Sequence, residues 1–208
     1  MALKRVRVLD CGAGNAGSVL NMVKYVGGAA ELVSEPEDVR MVDCLIIPGV
    51  GHFGEVMKRL QEGGWVEPLN EARGRGCWVL GICLGMQILT KFSEEGERQG
   101  LGWVDLTTRK FDELGIDGRR RRVPHMGWNA VEFRDGNFGD ANRFYFVHSY
   151  YVDGLDSPAC WAVTNYEGVE FVSAIRSGRV LGVQFHPEKS HRHGMALMRY
   201  FLKLSQAN

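Results

Sequence analysis

Hydrophobic positions fall into two textures, short continuous runs and stretches at helical spacing. Val6, Val8 and Leu9 mark a first strand over residues 6–10, and residues 11–18 form a glycine-rich turn. Val19, Leu20, Val23 and Val26 then recur at 3.6-type spacing, and Gly27-Gly28 stops that helix. Residues 30–33 predict a second strand and Pro36-Glu37-Asp38-Val39 a helix start. Cys44-Leu45-Ile46-Ile47 is a continuous apolar run, the pattern of a parallel strand buried on both faces. Residues 55–61 and 67–73 predict helices joined by Gly63-Gly64-Trp65. Residues 77–80 predict another buried strand, and 86–92 a helix after it. Strands alternating with helices imply an α/β fold with a largely parallel sheet.

The texture changes after a Glu-rich polar loop at residues 93–100. Short β-type stretches follow at 103–109, 131–133, 143–152, 160–165, 172–176 and 180–184, separated by Gly, Asp, Asn and Pro. The sheet is therefore expected to be mixed, with antiparallel additions from the second half. Met195, Leu197, Met198, Phe201, Leu202 and Leu204 give an amphipathic terminal helix. No linker, repeat or low-complexity tract divides the chain, so residues 1–208 are expected to form a single domain.

Composition narrows the function. The 25 basic and 25 acidic residues balance, which gives no electrostatic case for nucleic acid or membrane binding. Five scattered cysteines with no C-x-x-C pair argue against a disulfide framework or a zinc site. There is no signal-peptide pattern and no membrane-length apolar run, so a cytoplasmic protein is expected. Gly12-x-Gly14-x-x-Gly17 fits a dinucleotide fingerprint in its letters, but no acidic residue closes a second strand about 20 residues on. A strand-to-helix turn requiring small residues is the better reading, and no cofactor is expected.

The chemistry centres on Gly81-Ile82-Cys83-Leu84-Gly85. A glycine on each side of a nucleophilic residue, between strand and helix, is the layout of a nucleophile elbow, with Cys in place of Ser. The helix N-terminus behind it favours a thiolate. The alternative is a buried structural cysteine. A thiolate needs a base, and the base an orienting group. His186 in Phe185-His186-Pro187-Glu188 follows an apolar strand, and Glu188 lies one proline-fixed turn away. The loop Pro48-Gly49-Val50-Gly51-His52-Phe53-Gly54 ends a buried strand and can turn backbone N–H groups toward a developing oxyanion. Of the other histidines, His52 is read as either a ligand contact or a surface residue. His191 and His193 are read as part of a solvated polar loop, without the further ligands a metal site needs.

With these segments in place, the chain resembles the class I glutamine amidotransferases over essentially its whole length. More narrowly it is similar to the glutaminase subunits of imidazole glycerol phosphate synthase. The narrowing stretches are Asp10 to Val19, Pro124-His125-Met126-Gly127-Trp128-Asn129, Phe146-Val147-His148-Ser149-Tyr150-Tyr151 and His186-Pro187-Glu188-Lys189-Ser190. Two departures are Cys11, where Tyr is more usual, and the basic run Arg119 to Arg122, read here as a solvated hairpin turn. The resemblance implies a flavodoxin-like, three-layer fold and a Cys83–His186–Glu188 triad. It also implies oxyanion donors at Leu84 and at Gly49 and Val50. Glutamine contacts are implied at Gly51, Gln87, His148, Ser149 and Tyr150. It further implies a heterodimer with a (β/α)8-barrel cyclase subunit, docked through Trp128, Tyr145 and Lys189, with core packing as the alternative role for Trp128. Other implied readings are a glutaminase serving a sugar-modifying system, and a catalytically silent binding module.

Overall fold

The structure, a computed structural model, describes residues 5–12, 14–115, 118, 120–135 and 142–206. Its first half alternates strand and helix. The elements are β1 (Val6–Leu9), α1 (Ala16–Tyr25), β2 (Ala30–Val33), β3 (Cys44–Gly49), α2 (Phe53–Glu62), α3 (Val66–Gly74), β4 (Trp78–Cys83) and α4 (Leu84–Gln87). A 3-10 turn, Pro36–Val39, stands where a helix start was expected. The second half is strand-rich: β5 (Thr90–Ser93), β6 (Arg98–Gln99), β7 (Val104–Lys110), β8 (His125–Ala130), β9 (Glu132–Phe133), β10 (Arg143–His148) and β11 (Tyr150–Asp153). Then come β12 (Cys160–Tyr166), β13 (Val169–Ser177), β14 (Val180–Val183), a 3-10 turn at Pro187–Lys189, and α5 (His191–Gln206).

The main sheet runs β2-β1-β3-β4-β14-β13-β11-β7-β5-β6, with β12 also on β13 and β9 on β12. Strands from β2 to β14 pair in parallel. From β14 to β7 the pairing is antiparallel. The sheet is thus mixed, as its two sequence textures imply. Alternation within the apolar runs explains burial on both faces. Leu45, Ile47 and Val79 join a core under α2 and α3 with Phe53, Met57, Leu60 and Leu69. Cys44, Ile46, Leu80 and Ile82 join a second core under α1 and α5 with Val19, Val23, Leu197 and Phe201. The result is a three-layer α/β arrangement. No helix among the described residues is long and apolar enough to cross a membrane.

Four expectations need correction. The helix expected over 86–92 stops after one turn, because the buried Thr90 hydroxyl donates to the Gln87 carbonyl at 2.7 Å and the chain continues as β5. Carbonyls of Ile88, Leu89 and Thr90 then accept from Leu101, Trp103 and Gly102 instead of closing further helical turns. Residues 143–152 are two strands: β10 pairs with β8 in a separate two-stranded sheet, while β11 joins the main one. The break falls at Ser149, whose carbonyl accepts from Phe111 N–H. His191 and His193 lie on the first turn of α5 rather than in a polar loop. His193 is buried because it continues the Leu197–Phe201 stripe by one turn. In the basic run, Arg119 lies outside the described residues. Arg121 is buried rather than solvated, its guanidinium donating to the Asp112 carbonyl at 2.5 Å.

Glycine is obligatory at the β4–α4 corner because three backbones meet there. A Cβ on Gly85 would lie 1.8 Å from the Ile47 carbonyl oxygen of β3, and one on Gly81 would lie 2.5 Å from the Gly85 carbonyl. Gly85→Ala is therefore expected to destabilise the fold by about 3 kcal/mol or more, since backbone cannot yield as a side chain can. Urea unfolding measures this, and an unchanged midpoint would contradict the packing argument.

Candidate active site

Cys83 closes β4 with φ 55° and ψ −111°, a positive φ that a non-glycine residue adopts only where its surroundings enforce it. Those surroundings are the corner just described. The turn sets the sulfur at the strand end, with α4 beginning at the next residue. Leu84 N–H is the first of that helix, a group with no intrahelical acceptor. β14 lies beside β4 in parallel register, Val183 opposite Ile82, so the segment after β14 leaves the sheet next to Cys83. That segment carries Gln184 and His186.

Two hydrogen bonds to β10 hold the His186 segment in place. His186 N–H donates to the Tyr145 carbonyl at 2.9 Å. The Ser190 hydroxyl donates to the His186 carbonyl at 2.6 Å and accepts from Tyr145 N–H at 2.9 Å. The 3-10 turn started by Pro187 folds Glu188 back, and its Oε1 accepts from His186 Nδ1–H at 2.7 Å. Nε2 of His186 is buried without a hydrogen bond of normal length and lies within electrostatic reach of Cys83. Burial pulls the His186 pKa down. The approach of Cys83 and the bond to Glu188 outweigh it and raise the value to about 9. His186 therefore holds its proton at neutral pH, the form that can protonate a departing amine.

A cavity of about 340 Å³ opens over these groups, within the range of small-ligand sites. Of the residues singled out in the sequence, Cys83, Leu84, His186, Val50, Gly51, Gln87, His148, Ser149, Tyr150 and Lys189 line it. Gly49 does not, and pairs with Cys83 from the neighbouring strand. Glu188 stands behind His186. His52 does not line the cavity: its Nδ1 accepts from Gly54 N–H and caps α2. Sequence reasoning missed two groups. Glu95, from the turn between β5 and β6, brings a carboxylate to the cavity wall, its Oε2 accepting from Phe53 N–H at 2.8 Å. Its only signal was one acidic residue among several in a polar loop. Gln184 is fully buried, with its Nε2 3.7 Å from Cys83 Sγ. A polar residue inside an apolar strand run was the available signal.

The model of the family described as "Glutamine amidotransferase class-I" matches residues 7–204. The chain belongs to the class I glutamine amidotransferases. Among its relatives, the imidazole glycerol phosphate synthase subunit HisH 2 of Methanococcus maripaludis is 43% identical, over 95% of this chain and 98% of that protein. Imidazole glycerol phosphate synthase hisHF of Emericella nidulans is 37% identical over 97% of this chain, which spans 38% of that longer protein. A crystal structure of a glutamine amidotransferase superposes with a TM-score of 0.72 at 22% identity, covering 96% of this chain and 98% of the other, and supports the fold.

In this amidotransferase the three residues expected at an interface sit together. Trp128 is 41% exposed on β8, so it is not a core residue. Its indole stacks on the His191 ring at 5.7 Å and meets Tyr145 edge-on at 6.4 Å. Lys189 Nζ lies 5.8 Å from the centroid of the Tyr145 ring.

The raised pKa of His186 makes a signed prediction. Its stabilising contribution is fully present below the ordinary value of 6.5 and is lost as pH rises through about 9. Cys83→Ala and Glu188→Gln each remove one support. In either variant the His186 imidazole is expected to titrate lower by NMR, and the loss of stability to begin at lower pH. An unmoved midpoint in both would contradict the coupling.

Proposed function

We propose that this amidotransferase is the glutaminase subunit of an imidazole glycerol phosphate synthase. One observation carries the reading: full-length similarity to subunits of that synthase coincides with a cavity where a cysteine, a histidine–carboxylate pair and a helix N-terminus converge. Cys83 Sγ, its proton already resting on His186 Nε2, attacks the side-chain amide carbon of glutamine. Glu188 holds the other ring nitrogen and steadies the imidazolium. The oxyanion meets Leu84 N–H and an N–H of the Gly49-Val50-Gly51 segment. His186 then gives its proton to the departing nitrogen, so ammonia leaves and a γ-glutamyl thioester remains. Water, deprotonated by the now neutral His186, hydrolyses the thioester to glutamate, and the sulfur leaves as a thiolate beside the reprotonated imidazole.

Gln87, Ser149, Tyr150 and the backbone near His148 enclose the substrate, and the Glu95 carboxylate opposes its α-ammonium group. Ammonia must reach its acceptor without becoming ammonium in bulk water. A (β/α)8-barrel cyclase subunit docked over the cavity mouth would receive it. There it converts the ribulosyl aminoimidazole nucleotide PRFAR to imidazole glycerol phosphate and AICAR. Trp128, Tyr145 and Lys189 form the proposed docking patch, and Lys189 also borders the cavity. The working form is a cytoplasmic heterodimer.

Co-purification with the cyclase subunit, followed by ammonia transfer to PRFAR, tests the assignment. No complex and no transfer would refute it. Cys83→Ala is expected to abolish glutamate release in the complex, and residual turnover at the unmutated rate would remove Cys83 as nucleophile. The subunit alone is expected to hydrolyse glutamine poorly. Glu95→Gln is expected to raise KM for glutamine about 10-fold or more with little change in kcat, the effect of losing one charged hydrogen bond made equally in ground and transition states.

A further inference from the structure

We propose that Gln184 is a further catalytic residue of this site, donating an amide N–H to Cys83 Sγ at the end of a hydrogen-bonded chain whose direction is fixed by a single backbone carbonyl. The proposal rests on the reading of Cys83 as nucleophile. The fixed point is the carbonyl of Tyr150, which can only accept. It lies 3.0 Å from a Gln87 amide atom and 2.7 Å from His148 Nδ1. The Gln87 atom must therefore be Nε2, and His148 must carry its hydrogen on Nδ1.

Both arms follow from that point. Toward the sulfur, Gln87 Nε2 also donates to Gln184 Oε1 at 3.0 Å. Gln184 is thereby left presenting Nε2 to Cys83 Sγ at 3.7 Å. Reversing Gln87 would set oxygen against oxygen, and reversing Gln184 would set nitrogen against nitrogen and oxygen against sulfur. Away from the sulfur, His148 Nε2 accepts from His125 Nδ1–H at 3.0 Å, and His125 Nε2 accepts from Asn129 Nδ2 at 3.3 Å. This arm requires both imidazoles to be neutral. Burial lowers His148 to about 3, helped by His125, and burial lowers His125 to about 4. Aromatic rings enclose them: Phe146 and Tyr166 stack on His125 at 4.6 and 3.9 Å.

Three consequences bear on the chemistry. The sulfur accepts from Gln184, a bond that strengthens as negative charge gathers on the acceptor. The protonated His186 Nε2, which has no other partner, lies within electrostatic reach of the same sulfur. Gln87, with both amide hydrogens engaged, can offer the cavity only its Oε1, an acceptor for a substrate N–H.

The test follows iodoacetamide labelling of Cys83 in the full chain from pH 6 to 9, read by peptide mass spectrometry. It requires neither glutamine nor a partner, so it stands or falls apart from the glutaminase assignment. Gln184→Leu removes donor and acceptor. Gln184→Glu keeps the acceptor facing Gln87 but sets oxygen against sulfur. Both are expected to slow labelling at pH 7 about 10-fold and to move the profile to higher pH. Wild-type labelling in Gln184→Glu, with or without slowing in Gln184→Leu, overturns the proposal, because any remaining effect would then run through Gln87. In the unmutated chain, the Gln184 side-chain ¹⁵N resonance is expected to shift through the same pH range as the labelling midpoint. A resonance that does not move there overturns the proposal without any variant.

Discussion

The contact of α4 with the ends of β3 and β4 is the constraint on which the site depends. Three backbone segments meet with no room for a side chain at Gly81 or Gly85. That crowding holds Cys83 at a positive φ and aims the first turn of α4 at the same space. Ladder pairing then supplies the rest. β14 runs parallel to β4, so its end delivers His186 beside the sulfur, and β3 on the other side delivers Val50 and Gly51 to the cavity. Residues about a hundred positions apart in sequence meet because neighbouring parallel strands end at the same level, where open α/β sheets place their ligands.

Histidine takes opposite electrostatic roles within this small volume. His186 has a carboxylate on one nitrogen and the cysteine near the other, and it is pushed toward the charged form despite burial. His125 and His148 have an amide, a carbonyl and each other among aromatic rings, and burial pushes them toward the neutral form. The same side chain is thus held toward its charged form in one place and is a fixed neutral strut in the other. Their partners decide which, more than depth of burial does.

Much of this was legible in the sequence, because it depends on local pattern. Continuous apolar runs marked β3 and β4, the flanking glycines marked the corner, and Pro187 brought Glu188 back to His186. What was missed depends on tertiary competition. The helical spacing of 86–92 was overridden when carbonyls of Ile88 to Thr90 found partners across a hairpin. The strand 143–152 was divided because β10 had a partner, β8, whose sequence contains no uninterrupted apolar run. Glu95 and Gln184 resembled an ordinary loop acid and an ordinary strand residue. Their roles arise from what lies opposite them, which spacing along a chain does not encode.

Ser190 carries a mechanical consequence. His186 is suspended between two sheets: it follows a strand of the main sheet, but its backbone N–H is tied directly, and its carbonyl through Ser190, to Tyr145 on the two-stranded ribbon that presents Trp128. The sulfur has no such tie, since it rides on the main sheet. Cys83 is thus mounted on one frame and His186 on two. A force that tilts the ribbon alters the gap between sulfur and imidazole while leaving each frame internally unchanged, as a lever works against a fixed anvil.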